Sequence, residues 1–233
     1  AIFDASSRTK TTMASYLEGL SKDSRVLDIG SGYGGTARYL AKTYGCKVVA
    51  LNLSKVQNER HRQMNIEQGL DHLIEVVDGN FEDMPFQDST FDVVWSQDAI
   101  LHSEARSNVI GEVSRVLDGS GQFVFTDLMQ SGDCPADVLQ PILDRLQLGS
   151  MASPNFYMET SQEHGINEVR FDEMTNQLVT HYTRVLEETE THEARLKQSI
   201  TPEYLDNMKS GLQRWIDGGN NGHLSWGIFH FRK

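Results

Sequence analysis

Cysteine is almost absent from the 233-residue chain, which has only Cys46 and Cys134. They stand far apart in unrelated contexts. That argues against a disulfide framework and against a cysteine-based metal site, and two ordinary thiols fit a reducing cytoplasm. Long apolar runs are missing too. No stretch of about 18 apolar residues reads as a membrane span, and no signal-peptide pattern is visible. Positive charge is scarce, with 21 Lys and Arg against 33 Asp and Glu and a net charge of -12. Polyanionic partners need clustered cations, so neither nucleic acid nor an anionic membrane is expected. Repeats and low-complexity tracts are absent. The sequence opens Ala1-Ile2-Phe3 rather than with Met, which suggests missing upstream residues.

What remains is enough for a core: 38% of the residues are hydrophobic and 23% charged. The length suits one α/β domain with a modest insertion. Short apolar segments alternate with helical ones through the first half. Strands are expected at 25–29, 47–51, 72–77, 91–95 and 121–126. Helices are expected at 35–44, from Ser54 to about 68, and at about 105–117. This alternation implies parallel pairing by right-handed crossovers in a doubly wound sheet. The second half reads as irregular and helical over 134–165, a strand at 167–174, helices at 178–198 and 202–216, and a final edge strand at 224–231. The expected architecture is one domain over 1–233, with a mostly parallel seven-stranded sheet. A helical cap over the site is expected at about 130–165, with 176–220 as a further candidate for it.

Ligands of such sheets sit beyond the carboxyl ends of the strands, where every motif falls. The first is Asp28-Ile29-Gly30-Ser31-Gly32-Tyr33-Gly34, between a strand and a helix. Glycine lets the backbone approach a ligand closely and take positive φ. The spacing is not Gly-x-Gly-x-x-Gly, which counts against a nicotinamide-dependent oxidoreductase. An acid inside the strand instead suits a cationic cofactor. The plainer reading is a tight strand-to-helix turn. At the end of the second strand, Asn52 can bond a ribose hydroxyl, with Gln57 one turn into the next helix, or it can simply cap that helix. Asn80 and Phe81 pair a polar group with an apolar ring, as an adenine pocket would. After the fourth strand comes Trp95-Ser96-Gln97-Asp98-Ala99-Ile100-Leu101-His102. Asp98 and His102 are four apart, hence on one face if that turn is helical. A carboxylate and an imidazole there suit an ammonium substrate, the first binding the cation and the second taking a proton.

Residues 26–35, Val26-Leu27-Asp28-Ile29-Gly30-Ser31-Gly32-Tyr33-Gly34-Gly35, resemble the first motif of class I methyltransferases. Asp83-Met84-Pro85-Phe86, Phe91-Asp92-Val93-Val94 and the turn Gly119-Ser120-Gly121-Gln122 resemble later parts of that fold. A narrower resemblance, to sarcosine/dimethylglycine N-methyltransferases, rests on Leu51 to Arg60, Trp95 to His102, Gln140 to Arg145 and Trp215 to Gly219. Ser96 to His102 is also similar to phosphoethanolamine methyltransferases. Asn52 replaces the acid usual in the wider superfamily. An aromatic-rich N-terminal segment of the family is not found here.

The resemblance implies S-adenosylmethionine as cofactor, no metal, and a small zwitterionic amine as substrate. It implies Asp28, Gly30, Gly32, Gly34, Asn52, Gln57, Asn80, Phe81 and Gln97 at the cofactor, with Asp98 and His102 at the reacting amine. Arg145 and Arg170 are candidates for the substrate carboxylate. Met129, Tyr182 and Trp226 are candidates for contact with substrate or product, aromatic faces being good partners for quaternary ammonium. Core packing is the plainer role for the aromatic pair. Replacing Gly30 with valine is expected to remove cofactor affinity from a folded protein. Two alternatives remain open: methylation of phosphoethanolamine or another small amine, and a cofactor-binding regulator without catalysis.

Overall fold

The computed structural model describes residues 2–233, with side chains from residue 7 onward. Strand β1 (Arg25–Ile29) exposes only Arg25 and buries the four residues after it. A continuous apolar run of this kind belongs to a parallel strand covered on both faces. Helix α2 (Gly35–Tyr44) starts after Gly34 and ends at Gly45, both left-handed, and the Gly45 N–H donates to the Ala41 carbonyl. Strand β2 (Lys47–Asn52) and helix α3 (Lys55–Glu67) follow, with the Ser54 hydroxyl accepting from the Gln57 N–H at α3's first turn. Next come β3 (Ile74–Asp78), β4 (Phe91–Gln97), a 3-10 turn over Ile100–His102, α4 (Arg106–Val116) and β5 (Leu117–Gln130).

The remaining elements are α5 (Ala136–Leu146), α6 (Pro154–Glu163), β6 (Asn167–Glu173), α7 (Thr175–Thr191), α8 (Glu193–Leu196), α9 (Pro202–Asn220) and β7 (Leu224–Arg232). Helix α1 (Ile2–Tyr16) precedes them all. The seven strands lie in the order β3-β2-β1-β4-β5-β7-β6. The β1–β2, β2–β3, β1–β4 and β4–β5 pairs are parallel. The chain thus builds outward from β1 on one side and then returns to add β4 on the other. This reversal puts the carboxyl ends of β1 and β4 at the switch in strand order, where such sheets bind ligands.

Two compact units are present. The first takes residues up to 127, 158–172 and 228–233, and holds most of the sheet. Val26, Leu27, Ile29, Leu51 and Trp95 are fully buried in it. A ladder of stacked rings runs through Phe123, Phe125, Phe229, Phe231 and Phe171, with centroids as close as 4.2 Å. The second unit takes 128–157 and 173–227. Its core gathers Ile142, Leu143, Met151, Leu178, Trp215 and Leu224, with Tyr182 and Trp226 packed against them.

Four elements differ from expectation, the first being the helix expected at 178–198, which is split into α7 and α8 at His192. β7 is an interior strand between β5 and β6, and β6 is the edge. The reason lies in burial: β7 hides Ile228 through Phe231, whereas β6 exposes Asn167 through Arg170. β5 begins at Leu117 rather than 121, because Leu117 already pairs with Phe91 of β4, and the register then shifts before Gln122 pairs with Val93. Helix α1 is an element the sequence pattern did not signal.

Candidate active site

The glycine loop is positioned by β1 and β2 together. Gly30 and Ser31 both donate their N–H groups to the Leu51 carbonyl, at 2.9 and 3.2 Å. Gly30, Gly32 and Gly34 all have positive φ, at 70°, 52° and 74°. The three are not equivalent. A Cβ at Gly30 would stand 2.4 Å from the Ala99 Cβ, and one at Gly34 would fall 1.8 Å from His61 Nε2. At Gly32 a Cβ would meet nothing within 4 Å. The expectation for Gly30→Val is therefore corrected: valine collides with Ala99 of the protein itself before any ligand is considered. Gly32 is the position with open space beside the backbone.

Under this loop lies Asp28, 2% exposed. Burial pushes its carboxyl up to about 7, while a hydrogen bond from the Ala37 backbone and the nearby Lys10 ammonium pull it down. Asp28 Oδ2 has no hydrogen-bond partner, and neither does the buried Ser31 hydroxyl one turn on. A buried carboxylate oxygen and a buried hydroxyl left unpaired are costly in isolation. They fit a ligand that brings an ammonium group and further polar atoms. Lys10, on the unanticipated α1, has its ammonium pKa lowered by burial and by Arg38, and raised by Asp28.

Behind Gly34 stands His61, fully buried, with neither ring nitrogen hydrogen-bonded. Burial and the flanking Arg38 and Arg62 push its pKa down to about 4. The ring is thus a neutral wedge against the loop, a role the sequence pattern did not reveal.

Asn52, at the end of β2, is half-buried. Its Nδ2 donates to Gln57 Oε1 at 3.1 Å and to Asn58 Oδ1 at 3.0 Å. Asn80 closes a tight turn, its Oδ1 accepting from the Glu82 N–H at 3.0 Å. The Phe81 ring lies 3.7 Å from where a Gly30 Cβ would be. Gln97, at the end of β4, accepts from the Thr36 hydroxyl at 3.2 Å. The carboxyl ends of β1, β2 and β4 and the turn after β3 therefore bring the cofactor candidates into one neighbourhood of the first unit.

Asp98 follows β4 with φ +50°. Both its ends are tied to Thr126 of β5: its N–H donates to the Thr126 carbonyl, and its carboxylate accepts from the Thr126 hydroxyl, each at 2.9 Å. Asp98 precedes the 3-10 turn over Ile100–His102, so the shared helical face expected for Asp98 and His102 does not form. His102 is exposed at the end of that turn and donates its N–H to the Ala99 carbonyl at 3.1 Å. The turn is fastened from below: Ser103 Oγ donates to the Glu82 carboxylate, and the Arg106 guanidinium donates to the Leu101 carbonyl at 2.7 Å.

The substrate candidates are differently engaged. Arg145 Nη1 donates to the Asn207 carbonyl of α9 at 3.0 Å and fills the space beside Gly211. Arg170 is ion-paired with Asp172 at 2.7 Å and covers the Tyr16 ring at 4.3 Å. Tyr182 stacks on Trp215 with centroids 5.0 Å apart, and Met129 is fully buried. A cavity of about 500 Å³ in the second unit, bordered by Ser131, Asn155, Glu173, Thr175 and Ser225, contains none of the residues singled out above.

Comparison with known proteins agrees with this geometry. A family described as a methyltransferase domain matches residues 27–125. Over its whole length the chain is 56% identical to the sarcosine/dimethylglycine N-methyltransferase of Halorhodospira halochloris, covering 83% of that protein. It is 50% identical to the enzyme of the same name from Aphanothece halophytica, covering 84%. A crystal structure of a candidate sarcosine dimethylglycine methyltransferase from Galdieria sulphuraria superposes on all of the chain and 88% of its own, with a TM-score of 0.94 at 38% identity.

Proposed function

The chain belongs to the sarcosine/dimethylglycine N-methyltransferase family of class I methyltransferases, and on that premise we propose that it methylates the nitrogen of sarcosine, dimethylglycine or both, the methylation of dimethylglycine giving glycine betaine. The single observation that carries the cofactor half of this reading is Asp28, a buried carboxylate with an unpaired oxygen beneath a loop of left-handed glycines. S-adenosylmethionine, when bound, supplies a methyl group already activated on a sulfonium, so no metal is needed and the protein's task is alignment.

In this reading Asp28 and Ser31 hold the amino-acid end of the cofactor, Asn52 and Gln57 its ribose, Asn80 and Phe81 its adenine, with Gln97 beside them. Gly32 is where the backbone comes closest. The acceptor is a zwitterion that arrives protonated, and a protonated amine has no lone pair. His102 takes that proton from the amine nitrogen, its exposed imidazole passing it on to water. Asp98, held by Thr126, orients the ammonium. The substrate carboxylate goes to Arg145 or Arg170, with Met129 and Tyr182 contributing apolar contact. Of the regions expected as a cap, 130–157 and 176–220 lie in the second unit, whereas 158–165 belong to the first. A cytoplasmic setting belongs to the same reading, supported by the free thiols Cys46 and Cys134.

The test is incubation with labelled S-adenosylmethionine and glycine, sarcosine, dimethylglycine and phosphoethanolamine in parallel. Label is expected in sarcosine, dimethylglycine or both. Label in phosphoethanolamine alone would shift the substrate to the second reading, and cofactor binding without transfer to any acceptor would support a regulator.

A further inference from the structure

The orientation of the Asn52 amide is decided by groups behind it. Asn58 is fully buried on α3. Its Nδ2 donates to Asp78 Oδ1 at 2.7 Å and to the main-chain carbonyl of Asn52 at 2.8 Å. Both are groups that only accept, since burial is slight at Asp78 and the bonds from Asn58 and Arg62 hold its carboxyl below the ordinary range, keeping it ionised. Arg62 anchors that carboxylate from the other side at 2.8 Å. With its NH2 so committed, Asn58 can turn only its carbonyl Oδ1 toward Asn52. Asn52 must answer with its own NH2, whose two hydrogens then go to Asn58 Oδ1 and Gln57 Oε1.

Two groups remain uncommitted: the Asn52 carbonyl Oδ1, an acceptor, and the Gln57 NH2, a donor. Neither has a hydrogen-bond partner among the described residues. An adjacent acceptor and donor match a pair of neighbouring hydroxyls, one donating and the other accepting.

Resting on the reading of the protein as S-adenosylmethionine-dependent, we propose that Asn58 and Asp78 are positioning residues that fix Asn52 and Gln57 as an acceptor–donor pair for the two ribose hydroxyls of the cofactor. The arrangement also accounts for asparagine where the wider superfamily carries an acid. A carboxylate at position 52 would set acceptor against the Asn58 carbonyl. Rotating Asn58 to relieve this would aim its carbonyl at Asp78 and at the main-chain carbonyl of residue 52. The negative charge at this end of the sheet sits on Asp78 instead, one amide removed from the ribose.

The experiment is calorimetric binding of S-adenosylhomocysteine and of its analogue lacking both ribose hydroxyls. Wild type is expected to bind the analogue about ten- to a hundredfold more weakly, the worth of two ordinary hydrogen bonds. Asn58→Leu should bind S-adenosylhomocysteine about tenfold more weakly and discriminate the two ligands by less than about threefold. Asn52→Asp, which restores the acid usual elsewhere, should also weaken binding. Asp78→Asn, a change at an exposed side chain, should lose part of the discrimination while leaving the KM for the amine at saturating cofactor unchanged. If Asn58→Leu does not fold, the other two variants decide. Full discrimination in folded Asn58→Leu or Asp78→Asn, or tighter binding by Asn52→Asp, would overturn the proposal. A wild type that binds no S-adenosylhomocysteine would overturn the proposed function instead.

Discussion

Asp28 illustrates how one side chain links stability to ligand binding. Burial raises its carboxyl from an ordinary 3.8 to about 7, so the fold prefers it protonated. Its contribution to stability is fully present below about pH 4 and is lost as the pH rises through 7. A cationic ligand group reverses the preference, because it favours the carboxylate. Two outcomes are expected. The ligand-free protein should lose stability between pH 4 and 7 by this group, and Asp28→Asn should flatten that part of the curve. S-adenosylhomocysteine should bind with proton release below pH 7, more tightly as the pH approaches 7, and both trends should vanish in Asp28→Asn. Titrations in buffers of different ionisation heat would read the proton directly; equal heats in all of them would remove Asp28 from the ammonium. His102 poses the corresponding question for the substrate. If it takes the amine proton, His102→Ala should lower turnover by about 10²–10⁴-fold with cofactor affinity little changed. The loss should shrink as rising pH deprotonates the amine without help. Normal turnover at every pH would exclude the role.

Elements decide what each glycine and arginine tolerates. Gly32→Ala meets open space, so its cost to the fold is the left-handed backbone alone, about 1–2 kcal/mol, and its main effect should be lost cofactor affinity. Gly34→Ala drives a methyl into the His61 ring, so α2 and α3 must move apart and stability should fall by more than 2 kcal/mol, as overpacking does. Thermal melts with and without S-adenosylhomocysteine separate the two; equal melting losses in both variants would contradict the account. Arg145→Ala removes a bond from α5 to α9 and empties the space beside Gly211. A stability loss of about 1 kcal/mol with unchanged substrate KM would mark a structural arginine, and a raised KM would mark a substrate one. The same scale shows what a sequence can reveal. The glycine loop, the α3 cap at Ser54 and the closing Gly45 were legible because each is a local rule written in adjacent residues. Helix α1 was not: Thr9, Thr11, Thr12 and Ser15 are weak helix formers, and the helix is held by the burial of Met13 and Ala14. β7 was misplaced at the edge because alternation along a strand does not say which neighbour will cover it. The Asn58–Asp78 pair was invisible because its two residues lie twenty apart on different elements.

The whole molecule is strongly acidic, and several of its cations face carboxylates. Arg62 faces Asp78, Arg115 lies between Glu112 and Asp88, Arg170 pairs with Asp172, Lys209 with Glu193, and Arg232 with Glu18. Exposed pairs like these contribute little to stability, but they cancel the positive charges one by one and leave the excess of 33 acids over 21 bases uncompensated. Binding to a nucleic acid draws its free energy from the release of counterions by clustered Lys and Arg. Here the paired cations would first have to leave a carboxylate, and the net charge of -12 would repel the phosphates at every distance within the screening length, about 8 Å at physiological salt. A small zwitterion carries no net charge and meets no such barrier. Filter binding should therefore detect no DNA or RNA association at physiological salt, and lowering the salt should not produce any, since weaker screening strengthens the repulsion. Submicromolar binding that weakened as salt was added would require a surface of clustered cations, and would overturn the assignment to a small-molecule acceptor.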